Sequence, residues 1–226
     1  MVLRKLHPGF DLFRFEFLMF SLLLVLFDKA FFPDQNFFNT WVWPVNMLFL
    51  GLASVGIFRE RETWVRWIRN VLFLFSISIP LVFGWIIVFP VLVLLAFLSY
   101  SLYYSLILTE VLRQITRRAE ATGSVVIGSV CGFLLLIVVA QFGFLTIEYH
   151  QPGAFNGLNG TDIPSLYSQL SYFSMVTLAT VGYGDITPKS ELARLVTMFF
   201  AICGQFYMVA LVGIIISRYT TGRRTG

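Results

Sequence analysis

Thr177-Leu178-Ala179-Thr180-Val181-Gly182-Tyr183-Gly184-Asp185 is the stretch on which the fold turns. Upstream of it, Pro164 suits the first turn of a helix, with Thr161 or Asp162 as its cap. Such a helix can run to about Leu178, and Gly182 and Gly184 then break the pattern. Fifteen residues rise only ~22 Å, short of the ~30 Å hydrocarbon core of a bilayer. The reading is a helix that enters a membrane and stops, followed by extended chain. Backbone of that kind is tolerated at membrane depth only where it is buried in protein or lines water.

The unpaired carbonyls at the end of this half-span carry partial negative charge, which favours a cation in a low-dielectric interior. Two glycines flanking Tyr183 can take backbone angles closed to other residues. Alternation of such angles aims successive carbonyls to one side. Four copies of the strand around an axis would stack rings of oxygens that replace the water shell of a dehydrated cation. The Thr180 hydroxyl can add a ring at the inner end. One chain holds one copy, so a closed pore requires about four chains, most simply a cyclic homotetramer.

The rest of the sequence agrees with a membrane setting. Of 226 residues, 58% are hydrophobic and 12% charged, 25 are Phe, and the mean hydropathy is +0.81. Soluble domains carry about twice that charge, so an ordinary cytosolic enzyme, a disordered tail and a nucleic-acid module are excluded. The pI near 9.2 reflects a formal excess of only +4, scattered between apolar runs. The uncharged gaps 35–58, 70–109, 121–147 and 195–217 each suit spanning helices, and Pro90 divides the second into two. A first span, from about Leu12 to Phe32, places Arg14 and Glu16 near one interface and Asp28 and Lys29 near the other. Six crossings with a cytoplasmic N-terminus put 13 of the 16 basic residues inside, leaving Lys29, Lys189 and Arg194. Cys131 and Cys203 lie in apolar runs and read as small packing residues. The N-terminus does not read as a cleavable signal peptide.

The segment Thr177–Pro188, "TLATVGYGDITP", resembles the signature of the tetrameric potassium channels. The resemblance covers about 124–220 and implies an outer helix, a pore helix, a filter and an inner helix. It implies that Thr180, Val181, Gly182, Tyr183 and Gly184 form the selectivity filter, with K⁺ held by Thr180, Val181, Gly182 and Tyr183. Asp185 would stand behind the outer mouth. Glu148 falls where the family often has an acid that ties the pore helix to the scaffold. Tyr183 places the sequence with the K⁺-selective branch, since non-selective relatives tend toward Asp there.

The inner helix is expected from about Leu192 to Tyr219. Gly204 lies at the family's spacing for a hinge glycine. A glycine in mid-helix costs ~1 kcal/mol against alanine, and either bending or close packing would explain it. Gln205 is placed toward a water-filled cavity because it would be expensive against lipid. Met208, Val212 and Ile216 follow on the same face and would line the inner passage. The fourth span, 90–109, holds no Lys or Arg, whereas Arg113, Arg117 and Arg118 come after Glu110. The family's voltage-sensing charges are therefore absent.

The expected fold is all-α and integral to the membrane: six transmembrane helices, a re-entrant pore helix and an extended filter, four chains around a central pore. Residues 1–109 would form a four-helix sensor-like domain, 110–123 an interfacial linker, 124–220 the pore domain and 221–226 a short cytoplasmic tail. The expected function is passive, K⁺-selective conduction without steep voltage dependence. The alternatives are a potassium-transporter subunit or a non-conducting regulatory subunit. No enzyme constellation appears, and no cofactor, nucleic-acid partner or soluble substrate is expected; K⁺ is the transported ion. The expected location is the plasma membrane (the inner membrane of a prokaryote), multi-pass, with both termini cytoplasmic and the lipid bilayer as partner.

Overall fold

The computed structural model describes residues 14–31, 37, 41–58, 65, 67, 68, 70, 71, 73, 74, 90–117, 123–211 and 213. The readings for residues 1–13, for most of the third span, for Val212 and Ile216, and for the tail 221–226 lie outside the described residues.

The described elements are α1 (Arg14–Phe31), α2 (Trp43–Ile57), α3 (Pro90–Arg117), α4 (Gly123–His150), β1 (Phe155–Asn156), α5 (Ile163–Leu178), β2 (Thr187–Pro188) and α6 (Glu191–Phe206). A π-helical turn, Tyr207–Leu211, continues α6. Three helical stretches among the described residues are long and apolar enough to cross a membrane: Val91–Arg117, Gly123–His150 and Glu191–Ala210. The described residues are therefore mainly helical, and three of their helices are able to cross a membrane.

The centre of the fold is α4, which packs against α1, α3, α5 and α6. A helix apolar on every side is stable only when it is surrounded, and α4 is buried along most of its length from Leu135 to Glu148. Against it lies an aromatic layer: Tyr100 and Tyr104 of α3 stack on Phe142 with ring centroids 5.0 and 5.5 Å apart. Two residues on, and so on another face of α4, the Phe144 ring meets Phe155 (5.6 Å), Phe173 (5.2 Å) and Phe200 (5.7 Å). A single side chain of α4 thus joins β1, α5 and α6. By contrast, α6 leaves Leu195, Met198, Phe199, Ile202 and Phe206 exposed in the single chain.

Residue types set the helix ends. Asp162 caps α5 by accepting from the Ser165 amide at 3.0 Å, with Pro164 in the first turn. Ser190 caps α6 by accepting from the Ala193 amide. The helix α3 runs without a break past Glu110 to Arg117, so the first part of the expected linker 110–123 is helical. Its physical reason is side-chain pairing: Glu110, only 1% exposed, bonds Arg113 at 3.3 Å and Gln114 at 2.9 Å. Gln114 also donates to the Ile57 carbonyl at 2.6 Å, which ties the end of α2 to α3.

Candidate functional site: the strand after the pore helix

The half-span ends where its sequence indicates, at Leu178. Its last carbonyls are capped by the following strand. The Ala179 amide donates to Met175 and the Thr180 amide to Thr177, at 2.9 and 3.1 Å. The amides of Val181 and Gly182 both donate to the Val176 carbonyl, at 2.9 and 3.2 Å. The strand's inner end is thereby folded onto the α5 terminus.

Beyond it the backbone alternates. Thr180, Gly182 and Gly184 have φ of 60, 59 and 80°, whereas Val181 and Tyr183 do not share this left-handed region. Alternating backbone hands send successive carbonyls the same way, which is the property a ring of oxygens needs. The left-handed Thr180 went unforeseen. A β-branched residue is strained there by about 1–3 kcal/mol, and such strain persists only where the surroundings impose it. The side chains of Val181 and Tyr183 stand 51% and 72% exposed in the single chain.

Asp185, also exposed, lies just past the strand. Tyr172 of α5 stands beside its carboxylate. Glu148, 7% exposed, accepts from the Gly153 amide at 2.7 Å and the Phe155 amide at 3.0 Å. Its grip is thus on the loop 151–162, and not directly on α5. Sequence reasoning did not foresee Tyr172, nor Gln141 of α4, which donates to the Tyr167 carbonyl of α5 at 3.4 Å. A polar side chain inside an apolar run was the available signal for Gln141.

On α6, Gly204 is buried against the base of α5. A Cβ there would lie 3.1 Å from the Leu178 carbonyl oxygen and 3.3 Å from Leu178 Cα and Cβ. Of the two explanations for this glycine, close packing has a contact to name. Gln205 and Met208 are exposed in the single chain. The inner helix changes pitch at Tyr207–Leu211, where the Tyr207 hydroxyl donates to the Ser129 carbonyl of α4 at 2.7 Å. Gly132 makes room for that hydroxyl. Among the described residues no three His, Cys, Asp or Glu side chains cluster as a metal site.

The family model that describes an ion channel matches residues 132–221, the span that holds α5, the alternating strand and α6. The chain is 32% identical over 164 residues to the voltage-gated potassium channel Kch of Escherichia coli (strain K12), covering 71% of this chain and 34% of that protein. Residues 132–221 are therefore an ion-channel domain, similar to that of the pore-loop potassium channels. The chain is also 31% identical over 88 residues to two-pore potassium channel 4 of Arabidopsis thaliana, covering 39% of this chain and 29% of that one. With the potassium voltage-gated channel protein Shal of Drosophila melanogaster it shares 28% over 90 residues, 39% of this chain and 15% of the relative. The chain spans about a third or less of the length of these relatives. The alignment with Kch is too long to fit within the family match, so that similarity reaches into the helices before the pore.

Proposed function

We propose that four copies of this channel protein assemble around an axis and conduct K⁺ passively through backbone carbonyls of Thr180, Val181, Gly182 and Tyr183. Gly184 completes the filter, and Asp185 stands behind its outer mouth. The observation that carries this reading is the alternation of backbone hand at 180, 182 and 184 on the end of a capped half-span. A K⁺ ion entering the strand exchanges water for peptide oxygens, and neighbouring sites let one ion displace the next. The α5 carboxyl end adds a favourable potential below it. The exposure of Val181 and Tyr183 supports the assembly, because large apolar side chains beside a filter have their natural partners in neighbouring copies.

The residues Gln205, Met208, Val212 and Ile216 would line the passage below the filter. The setting proposed is a plasma membrane with both termini on the cytoplasmic side, by the distribution of basic residues. Steep voltage dependence is not expected. The stretch 90–109 carries no Lys or Arg, and Arg113 is already paired with Glu110. Moving one charge through the field is worth about 2.3 kcal/mol per 100 mV, and the stretch 90–109 holds no such charge.

The test is flux into proteoliposomes loaded with a K⁺ gradient, without ATP or a coupled ion. K⁺ uptake well above Na⁺ uptake, varying only weakly with imposed voltage, is the expected result. Uptake that needs ATP or a coupled ion would assign the chain to transport instead. An assembled protein that passes no ion under varied pH, lipid and voltage would favour a regulatory subunit.

A further inference from the structure

The loop between α4 and α5 is too short and polar to build a core of its own, yet it is fastened at three places. At its start, Glu148 holds the Gly153 and Phe155 amides. At its end, the Asn159 carbonyl accepts from Ser165 Oγ (3.0 Å) and Gln169 Nε2 (2.7 Å) of α5. In the middle, β1 pairs antiparallel with β2, Phe155 opposite Pro188 and Asn156 opposite Thr187. The amides of Lys189 and Ser190 add bonds to the Ala154 carbonyl at 2.8 and 3.1 Å. The Phe155 ring packs on Phe144 and Phe173. The loop is a bracket from the outer helix to the chain that leaves the filter.

Three glycines of this loop sit at nearly the same left-handed angle: Gly153, Gly157 and Gly160, with φ of 82, 84 and 81°. Only at Gly157 would a Cβ strike the filter chain. It would run into the Asp185 carbonyl oxygen, with the Asp185 carbonyl carbon at 3.0 Å and Ile186 Cα at 3.3 Å. At Gly153 a Cβ would meet nothing within 4 Å.

Like-charged carbonyl oxygens facing one axis repel each other, and the cations between them offset that repulsion. When ions are scarce, the shape of the strand depends on its two ends. The inner end is held by the Val176 carbonyl. We infer that Gly157 is a positioning residue: it lets the bracket bear directly on the Asp185 peptide, and this contact holds the outer end of the filter in its cation-binding shape when K⁺ is low. This inference rests on the K⁺-channel reading above.

The experiment compares wild type, Gly157→Ala and Gly153→Ala as assembled channels in vesicles. Both variants carry the same left-handed strain, and only the first carries the collision. At high external K⁺ all three should prefer K⁺ over Na⁺. As K⁺ is lowered, G157A should lose about tenfold of that preference while G153A follows wild type, and restored K⁺ should rescue it. A second readout is thermal stability of the assembly against K⁺ concentration. G157A should need about tenfold more K⁺ for the same gain, because ligand linkage reports the affinity of the site. Equal behaviour of the two variants would overturn the inference. So would a G157A stability loss independent of K⁺, or failure of G157A alone to assemble, since the contact would then serve folding only. A wild type without K⁺ preference in the same vesicles would instead sink the proposed function.

Discussion

Replacing Glu148 by Gln keeps the size of the side chain and removes half of what it does. The carboxylate accepts two amides, Gly153 on Oε1 at 2.7 Å and Phe155 on Oε2 at 3.0 Å. The carboxamide introduced by Glu148→Gln can accept only one of them and turns an NH₂ toward the other. A hydrogen bond to a charged group contributes about 1.5–3 kcal/mol, and a buried donor without a partner costs about 1–3 kcal/mol. These terms overlap, so the local loss is about 2–4 kcal/mol per chain. At about 1.4 kcal/mol per tenfold change in equilibrium, the protection of the 153–155 amides against hydrogen exchange should fall by about 30- to 700-fold. Exchange measured on the assembled channel by mass spectrometry, with fragments resolved across α4 and the loop, reads this directly. The acceleration should be confined to the loop and β2, leaving the middle of α4 protected. Unchanged exchange at 153–155, or an equal loss of protection along the whole of α4, would refute the reasoning.

Gly204→Ala should lower the melting temperature of the assembly, because overpacking against the Leu178 carbonyl costs about 1–3 kcal/mol and exceeds a helical gain of about 1 kcal/mol; a raised melting temperature would return this glycine to the bending explanation. Tyr207→Phe removes the bond to the Ser129 carbonyl, worth about 0.5–1.5 kcal/mol. Single-channel recording should show open probability shifted by up to about tenfold with ion preference unchanged. Asp162→Ala removes the cap of α5 at a cost of about 1 kcal/mol, and a melting curve identical to wild type would count against the cap.

The half-span was legible because its signals are local: a Pro and a cap at its start, glycines after its end, and a length too short to cross. The strand was legible through Gly182 and Gly184, whose left-handed angles are open to any glycine. Thr180 was not, since its left-handed backbone is imposed by bonds to α5 that no propensity reports. Glu148 was placed at the right end of the outer helix, yet its partners lie five and seven residues on, in a loop that reads only as Gly- and Asn-rich. The two-residue strands β1 and β2 are too short to show alternation, so the bracket had no sequence signal beyond Asn156-Gly157. Gly204 was recognised as needing a reason, and the choice between reasons required the position of Leu178. The pitch change at Tyr207–Leu211 follows from tertiary contact with α4 and has no counterpart in composition.

The central claim is that peptide oxygens of symmetry-related chains stand in for water around a K⁺ ion. Anomalous diffraction from the assembled channel grown in Rb⁺, a heavier ion of similar size, tests it most directly. The account predicts Rb⁺ peaks on a fourfold axis, each ringed by carbonyl oxygens of Thr180, Val181, Gly182 or Tyr183 from four chains. Residues 180–184 lying away from any shared axis, or Rb⁺ bound only by water and side chains, would contradict it.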